Sequence, residues 1–572
     1  MELLEKHFDT AFAAPDGVQK LRELILTLAM QGKLVPQDPK DQPASELLRA
    51  IEAEKQRLVK EGKIKQPKPL PGIKPEEIPY ELPERWEWVK LGNIIFDAKT
   101  GIDKGKEFQS EDNEYPYFKM NNISNFGYCD FSNVKRINYE GDDYEKYILR
   151  DGDFLFNTRN SKELVGKTCI FKSPNNEQWF FNNNILKIEF PNLIENDFVN
   201  YWFLSPLGKA ELEKLKSATT NVAAIYQGKL ILFPAPIPPL AEQHRIVAKI
   251  DRLMARCDEL EKLRGDRNQK RITIHTAALN RLLTAKESSD FSTAWRFITQ
   301  HFGELYSVKE NVADLRKAIL QLAVMGKLVP QDPKDEPASE LLRAIELEKQ
   351  QLVKEGKIKQ HKSLAKIKPE EIPYQVPKEW KWVRLGNYCY IFSGNAFKSE
   401  DFSSISGAKT IKITNAGVGE LIETNDFLPE RFTSDYSNYQ VRKNDLILAL
   451  TRPYISSGLK ISICPLSYDG ALLNQRVAAV RPFKFFGFIF LFLSSPCVLN
   501  LYQAKFRDSG LQPNLKIGDV TDLTVPIPPL AEQHRIVSKV NQLMTLCNQL
   551  DHQIDAATSK QNTLLNAVMA QI

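Results

Sequence analysis

Residues 32–66 read GKLVPQDPKDQPASELLRAIEAEKQRLVKEGKIKQ, and residues 326–360 read the same with three substitutions, at an offset of 294. Working outward, IKPEEIPYELPERWEWVKLGN at 73–93 returns at that offset as IKPEEIPYQVPKEWKWVRLGN at 367–387. A second motif, PIPPLAEQHRIV, stands at 236–247 and again at 526–537, now at an offset of 290. Between these opening and closing brackets lie two inserts, 94–235 and 388–525, that share only a faint pattern. Two like frames around two unlike inserts suit a molecule that presents two different surfaces in one fixed geometry.

At 572 residues the chain is too long for one core, and the repeat divides it into halves of about 290 residues. With 42% hydrophobic and 26% charged residues the composition is that of an ordinary globular protein. Seven cysteines without a C-x-x-C pair point to a reducing cytoplasm. The charged opening residues do not read as a secretory signal. The most apolar run, 485–493, is about half of a bilayer span and reads as a buried helix. The net charge of +5 decides little: insert 94–235 carries 17 basic against 20 acidic residues, and insert 388–525 carries 14 against 12. Composition alone does not mark a nucleic-acid binder.

Along the chain, Val18, Leu21, Leu24, Ile25 and Leu28 give the three-four spacing of an amphipathic helix that stops at Gly32. A second helix follows Pro43 and runs to about Lys60, closed by Gly62; the copies span 312–325 and 337–356. Residues 66–83 carry six prolines and predict an extended connector, as do 360–377. The inserts read as α+β: short apolar runs such as 153–156, 185–190 and 445–450 predict strands, and one helix is expected in each, near 198–216 and 485–506. After Pro238-Pro239, Ile246, Ile250, Leu253, Cys257 and Leu260 form a heptad seam. Ile536, Val540, Leu543, Cys547 and Leu550 repeat it, continuing through Ile554, Ala557, Gln561, Leu564 and Val568. Helices of this length reach on the order of 60 Å. They suit an antiparallel coiled coil with an insert near each end; the alternative is a helix packed on its own domain.

The opening Ile-Pro…Trp-x-Trp-Val-x-Leu-Gly-Asn and the closing Pro-Ile-Pro-Pro-Leu-Ala-Glu-Gln-His-Arg-Ile-Val, each present twice, resemble the specificity (S) subunit of Type I restriction–modification enzymes. The resemblance covers essentially the whole chain. It implies an α+β fold of two globular target recognition domains with pseudo-two-fold symmetry, separated by two long antiparallel coiled-coil helices. It divides the chain into a framing region (1–93), recognition domain 1 (94–235), a central spacer helix (236–286), a central framing repeat (287–387), recognition domain 2 (388–525) and a C-terminal spacer helix (526–572). It further implies a non-catalytic, cytoplasmic subunit that reads a bipartite, asymmetric site in double-stranded DNA. Two methyltransferase (M) subunits would dock on the framing regions, with the segments at 16–66 and 310–360 contributing, and the assembly would recruit the restriction (R) subunits. S-adenosylmethionine, ATP and Mg²⁺ would belong to those partners, with no cofactor or metal in this chain. Near-identical frames fit two copies of one partner, and unlike inserts fit unlike half-sites more than one duplex turn, about 34 Å, apart.

A weak parallel between the inserts locates candidate DNA contacts. Thr100-Gly101 matches Ser393-Gly394, and 118–123 matches 411–416, which singles out Lys119, Asn121 and Asn122 beside Lys412 and Asn415. Residues 150–159 match 442–452 with a one-residue slip, giving Asn157 and Arg159 beside Thr451 and Arg452. Asn183 and Asn184 match Asn474 and Gln475, followed by Arg476, and Thr219 and Asn221 match the region of Gln512 and Asn514. Asn and Gln pair with adenine, Arg and Lys with guanine, and all of them hold phosphates. Such Asn-Gly-Asp stretches are also ordinary turns. Gly166-Lys167-Thr168 lacks the upstream glycines of a phosphate loop. His244 and His534 suit docking or capping better than catalysis, Cys257 and Cys547 suit a helix seam, and Trp86, Trp88, Trp380 and Trp382 suit packing. Two rival readings remain: a coiled-coil scaffold whose inserts bind proteins, and a self-sufficient DNA methyltransferase or nuclease with fused recognition domains.

Overall fold

The computed structural model describes residues 2–218, 222–358, 364–506 and 512–570. Its contacts divide the chain into two units, Met1–Arg267 with Thr558–Ile572, and Asn268–Ala557, each with its own cores.

In the first unit the amphipathic stretch forms helix Gly17–Met30, and Gly32 beyond it takes φ +68°, a conformation a side chain would resist. The Lys33 N–H then returns to Leu28 O at 2.8 Å, closing the last turn. Helix Ala44–Lys60 opens directly after Pro43 and buries Leu47 and Ile51. The second unit repeats both, as Lys309–Val324 and Ala338–Lys354.

The brackets recur together because they pair. Strand Glu87–Lys90 runs antiparallel to Pro234–Ile237, with Trp88 opposite Pro236. Lys381–Arg384 pairs in the same register with Thr524–Ile527. Prolines are tolerated there because a two-stranded ribbon leaves one edge without partners. The closing motif then enters the long helix, whose first turn buries Glu242 and Gln243 (Glu532 and Gln533 in the copy). Gln37 Nε2 donates to Glu242 Oε1 at 2.6 Å and Gln331 Nε2 to Glu532 Oε1 at 2.7 Å. Arg245–Asp41 and Arg535–Asp335 repeat likewise, at 2.6 and 2.5 Å. The four tryptophans pack: Trp86 lies edge-on to Phe198, Trp88 to Tyr80 and Trp202, Trp380 to Phe488 and Trp382 to Tyr374.

Each insert is built on two main sheets, with a third, minor ribbon of two-residue strands. The larger is antiparallel, ordered Asp97–Thr100, Ile185–Glu189, Phe154–Asn157, Thr168–Ile170 in the first insert. In the second insert the order is Cys389–Ser393, Val477–Pro482, Leu446–Ala449, Ile461–Ile463. Its central strands are apolar on both faces: Phe154 and Phe156 face the frame, while Leu155 packs toward the smaller sheet with Phe118, Trp179 and Phe181. That two-sided burial explains why the sequence there shows runs and not alternation. The smaller sheet centres on a parallel pair, Tyr115–Phe118 with Trp179–Phe181 or Ala408–Ile411 with Leu472–Leu473.

The single helix expected in each insert is a broken pair, Asn196–Leu204 with Pro206–Leu215 and Phe486–Leu493 with Pro496–Phe506. Pro206 and Pro496 cannot continue the hydrogen-bond ladder, and Ser205 Oγ caps the second helix by accepting from the Gly208 N–H at 2.9 Å. The apolar helix Phe486–Leu493 is largely buried in its unit's core. No single helix among the described residues is long and apolar enough to cross a membrane.

The long helices are Leu240–Thr284 and Leu530–Ala570, each divided between the units. Ile246, Ile250 and Cys257 belong to the first unit's core, and Arg22 of its short helix bonds Asp258 and Glu261 at 2.6 and 2.8 Å. Ile536, Val540 and Cys547 do the same in the second unit, where Arg316 meets Asp551 at 2.9 Å. The first part of each seam therefore packs on the helix's own unit. Later turns pack elsewhere within a unit: Ala278, Leu279 and Leu282 in the second, Leu565 and Val568 in the first.

Candidate nucleic-acid interface

One rim is built identically in both inserts, where the chain crosses from the larger sheet to the smaller. The crossing begins at Gly101 and Gly394. A Cβ there would lie 2.1 Å from Phe181 O or 2.0 Å from Leu473 O, so only glycine lets the strands approach. The next residue donates across the gap, Ile102 N–H to Phe181 O and Asn395 N–H to Leu473 O, both at 2.9 Å. Asn182 N–H donates to Phe118 O and Asn474 N–H to Ile411 O, again at 2.9 Å. These bonds fix a register that differs by one residue from the one expected of the sequence. Asn182 is the counterpart of Asn474, Asn183 of Gln475, and Asn184 of Arg476.

The neighbouring strand obeys the same frame. Asn157 pairs with Ile185 as Ala449 pairs with Val477, without a slip. Arg159, opposite Ala224, therefore matches Thr451, opposite Asn514, and Asn160 matches Arg452. Gly152 at φ +91° and Asn444 at φ +73° share the turn that precedes this strand. Asp153 and Asp445 close it by accepting from the Arg150 and Arg442 N–H groups.

Several expected contacts serve the loop itself. Asn122 Oδ1 accepts from the Lys119 N–H at 2.9 Å, and its Nδ2 donates to Asp130 O at 2.8 Å. Asn415 repeats this with Lys412 N–H and Ile422 O, both at 2.8 Å. Asn157, 0% exposed, donates to Arg159 O and Asn184 O at 3.2 and 3.3 Å. Asn474 is buried as Asn182 is, and Asn182 bonds the Tyr117 hydroxyl oxygen at 2.7 Å. The amides of Asn122, Asn415, Asn157 and Asn182 are thus engaged inside the protein, as buried polar groups usually are. On the accessible side of the rim stand Thr100, Asn121 and Arg159, with Asn183 and Asn184 half-buried. Ser393 and Thr451 are half-buried, and Arg452, Gln475, Arg476, Gln512 and Asn514 are exposed. Thr219 and Asn221 lie outside the described residues.

Lys119 and Lys412 leave the rim at the same step. Lys119 Nζ donates to Gln109 Oε1 at 2.8 Å, and burial together with Lys135 and Lys106 holds its ammonium below the usual lysine value. The adjoining segment carries Lys104 over the rings of Phe108 and Tyr139, and Phe108 is 61% exposed. Lys104, Lys106 and Phe108 were absent from the expected contacts, although the run GIDKGKEF at 101–108 interleaves basic and aromatic residues. Elsewhere in this unit the stacked pair Phe126 and Tyr128 borders a cleft of 1160 Å³. Glu23, Asp197, Asp251, Asp258 and Glu261 line it against Arg22, Lys172 and Lys209, a balance unsuited to phosphate.

Other motifs are accounted for by packing. Gly166 takes φ +92° before strand Thr168–Ile170, and the Thr168 hydroxyl donates to Asn200 Oδ1 at 2.7 Å. His244 Nδ1 lies 3.0 Å from Glu195, and the His534 ring lies tilted against Phe485, centroids 4.0 Å apart. Cys257 and Cys547 are buried, which pushes their thiols up. Among the described residues no group of three His, Cys, Asp or Glu side chains is placed to hold a metal.

Comparison with known proteins gives one answer. Residues 83–268 and 377–557 each match the Type I restriction modification DNA specificity domain. The chain is 37% identical over 562 residues to the specificity subunit of the Type I restriction enzyme EcoAI of Escherichia coli, covering 96% of this chain and 93% of that one. The EcoEI specificity subunit of the same species is 30% identical over 574 residues, with the same coverage. A crystal structure of the HsdS subunit from Thermoanaerobacter tengcongensis covers 85% of this chain and 97% of that chain at 16% identity, with a TM-score of 0.44.

Proposed function

We propose a division of labour for this chain, which belongs to the family of Type I restriction–modification DNA specificity subunits. It is the non-catalytic subunit that recognises DNA sequence within a restriction–modification complex. Insert 94–235 reads one half of a bipartite, asymmetric site and insert 388–525 reads the other, each through its sheet-crossing rim. The long helices, 240–284 and 530–570, pair as the antiparallel spacer between the readers.

One observation carries this reading: the inserts share a topology and a rim but differ in the side chains exposed there, inside frames that keep many of their exposed residues. Asp38, Lys40, Glu46, Arg49, Glu52 and Lys60 are exposed, and so are Asp332, Lys334, Glu340, Arg343, Glu346 and Lys354. Packing does not hold an exposed residue fixed, whereas a common partner does. Ile78 and Ile372, 42% and 39% exposed beside matching Lys-Pro-Glu-Glu turns, give each frame the same apolar foothold. Two methyltransferase subunits dock there, and the restriction subunits join the assembly. These partners bring S-adenosylmethionine, ATP and Mg²⁺, in the cytoplasm where host DNA is met.

The test is to replace 94–235 with the insert of a relative and map methylation by the complex reconstituted with its methyltransferase subunit. Exactly one half of the target should change. Methylation at the same sequence without this chain, or a change in both halves, refutes the assignment. Metal-dependent cleavage by this chain alone would instead favour a self-sufficient enzyme.

A further inference from the structure

Given the reading above, we infer that the rim position held by Asn184 in the first insert and Arg476 in the second chooses the base each half-site requires, adenine for Asn184 and guanine for Arg476. The equivalence of the two positions comes from the backbone. Asn184 O accepts from the Thr158 N–H at 2.8 Å, and Arg476 O accepts from the Leu450 N–H at 2.9 Å. One residue further on, Ile185 pairs with Asn157 and Val477 with Ala449. The Cα at this position is therefore anchored to the central strand in both inserts, two residues after a buried asparagine, Asn182 or Asn474. What differs is the side chain on a common mount.

The chemistry of that difference is directional. An arginine fork matches the O6 and N7 acceptors of guanine in the major groove, and an asparagine amide matches N6 and N7 of adenine. Arg476 is exposed and has no ion pair among the described residues. Arg481, on the same stretch, is instead fixed by Asp445 at 2.6 Å. Arg452 stands on the adjacent strand, exposed and at φ +49°, a left-handed conformation rarely found outside glycine, where the first insert has Asn160. Asn160 makes local bonds, donating to Asn157 Oδ1 at 3.3 Å and accepting from the Ser161 N–H at 2.9 Å. At these two positions the second insert thus carries guanidinium groups in place of amides, with no carboxylate paired to either among the described residues, while Arg159 of the first rim is matched by Thr451. The preceding position, Asn183 against Gln475, keeps an amide in both and so carries no comparable change.

Reciprocal variants test this in the full complex with the methyltransferase subunit, read by single-molecule sequencing of methylated DNA and by selection of bound duplexes from a random pool. Arg476→Asn should lower the guanine preference at one position of the second half-site by about 10- to 100-fold, leaving the first half-site untouched. Asn184→Arg should do the converse in the first. Arg476→Lys, which keeps the charge but loses the fork, should lower the preference while largely retaining affinity. Co-purification of every variant with the methyltransferase subunit shows that it has folded, and the pool selection still reports the preference if methylation falls below detection. A guanine requirement unchanged in Arg476→Asn, or altered in the half-site read by the other insert, overturns the inference. A native complex that selects no sequence overturns the underlying reading instead.

Discussion

Lys119 and Lys412 occupy the same step of the same loop, yet they are held differently. Lys119 bonds a neutral amide, Gln109, and has Lys106 and Lys135 for neighbours. Lys412 lies over the Phe402 ring and is paired with Asp426, which also accepts from the Thr424 hydroxyl at 2.7 Å. The backbone around them is nearly the same, down to the asparagine that caps each turn. The lesson is that this fold conserves a mount and varies what is mounted, electrostatics included.

The comparison can be broken most forcefully in the cores. Leu155 and Ile447 sit at equivalent central-strand positions between the two sheets, both fully buried. Truncating either to alanine should cost about 3–4 kcal/mol, measured by denaturant unfolding of the full chain. A clearly smaller loss on one side would show that the inserts are not packed alike. Next, Gly101→Ala and Gly394→Ala should each cost about 2–3 kcal/mol, because the new Cβ would overlap a carbonyl oxygen. Each should spoil DNA binding through one half-site only, visible as a footprint shortened at one end.

A smaller effect should separate with pH. Arg535 holds the Asp335 carboxyl below the usual carboxylate range. A depressed folded value means stability that is present above the unfolded pKa near 4 and lost as pH falls through the folded one. Asp335→Asn should therefore cost about 1–2 kcal/mol at pH 7, with the difference from wild type shrinking as pH is lowered below about 4. The smallest effect is electrostatic. Lys119→Gln should reduce the salt dependence of DNA binding by about one unit of slope. Lys412→Gln should change it less, because its charge already has a carboxylate partner, and Asp426→Asn should narrow that gap. Equal slopes for the two lysine variants would erase the distinction drawn above.

How much of this was legible in the sequence follows from where the determining contacts lie. The frame was readable because a near-exact repeat needs no partner to be recognised, and its helix stops at Gly32 and Gly62 are local. The pairing of Glu87–Lys90 with Pro234–Ile237 joins segments about 150 residues apart, and nothing local announces it. The same distance problem produced the one-residue error at Asn183, since Asn-Asn-Asn at 182–184 admits any of three registers until Phe118 fixes one. Asn122, Asn157 and Asn415 looked like recognition residues because an asparagine that knits a buried loop and one that faces a base are the same letter. The Ser-Pro breaks at 205–206 and 495–496 were present in the sequence and outweighed by the apolar runs around them.

The paired ribbon that closes each insert has a further effect. Lys90 lies opposite Pro234 and Arg384 opposite Thr524, so the cargo departs and returns through adjacent strands. Joining two such neighbouring ends is forgiving: even doubling the length between them adds only ~0.6 kcal/mol of closure entropy. The chassis is thereby insulated from its payload, and a lineage can trade one payload for another without renegotiating its assembly contacts.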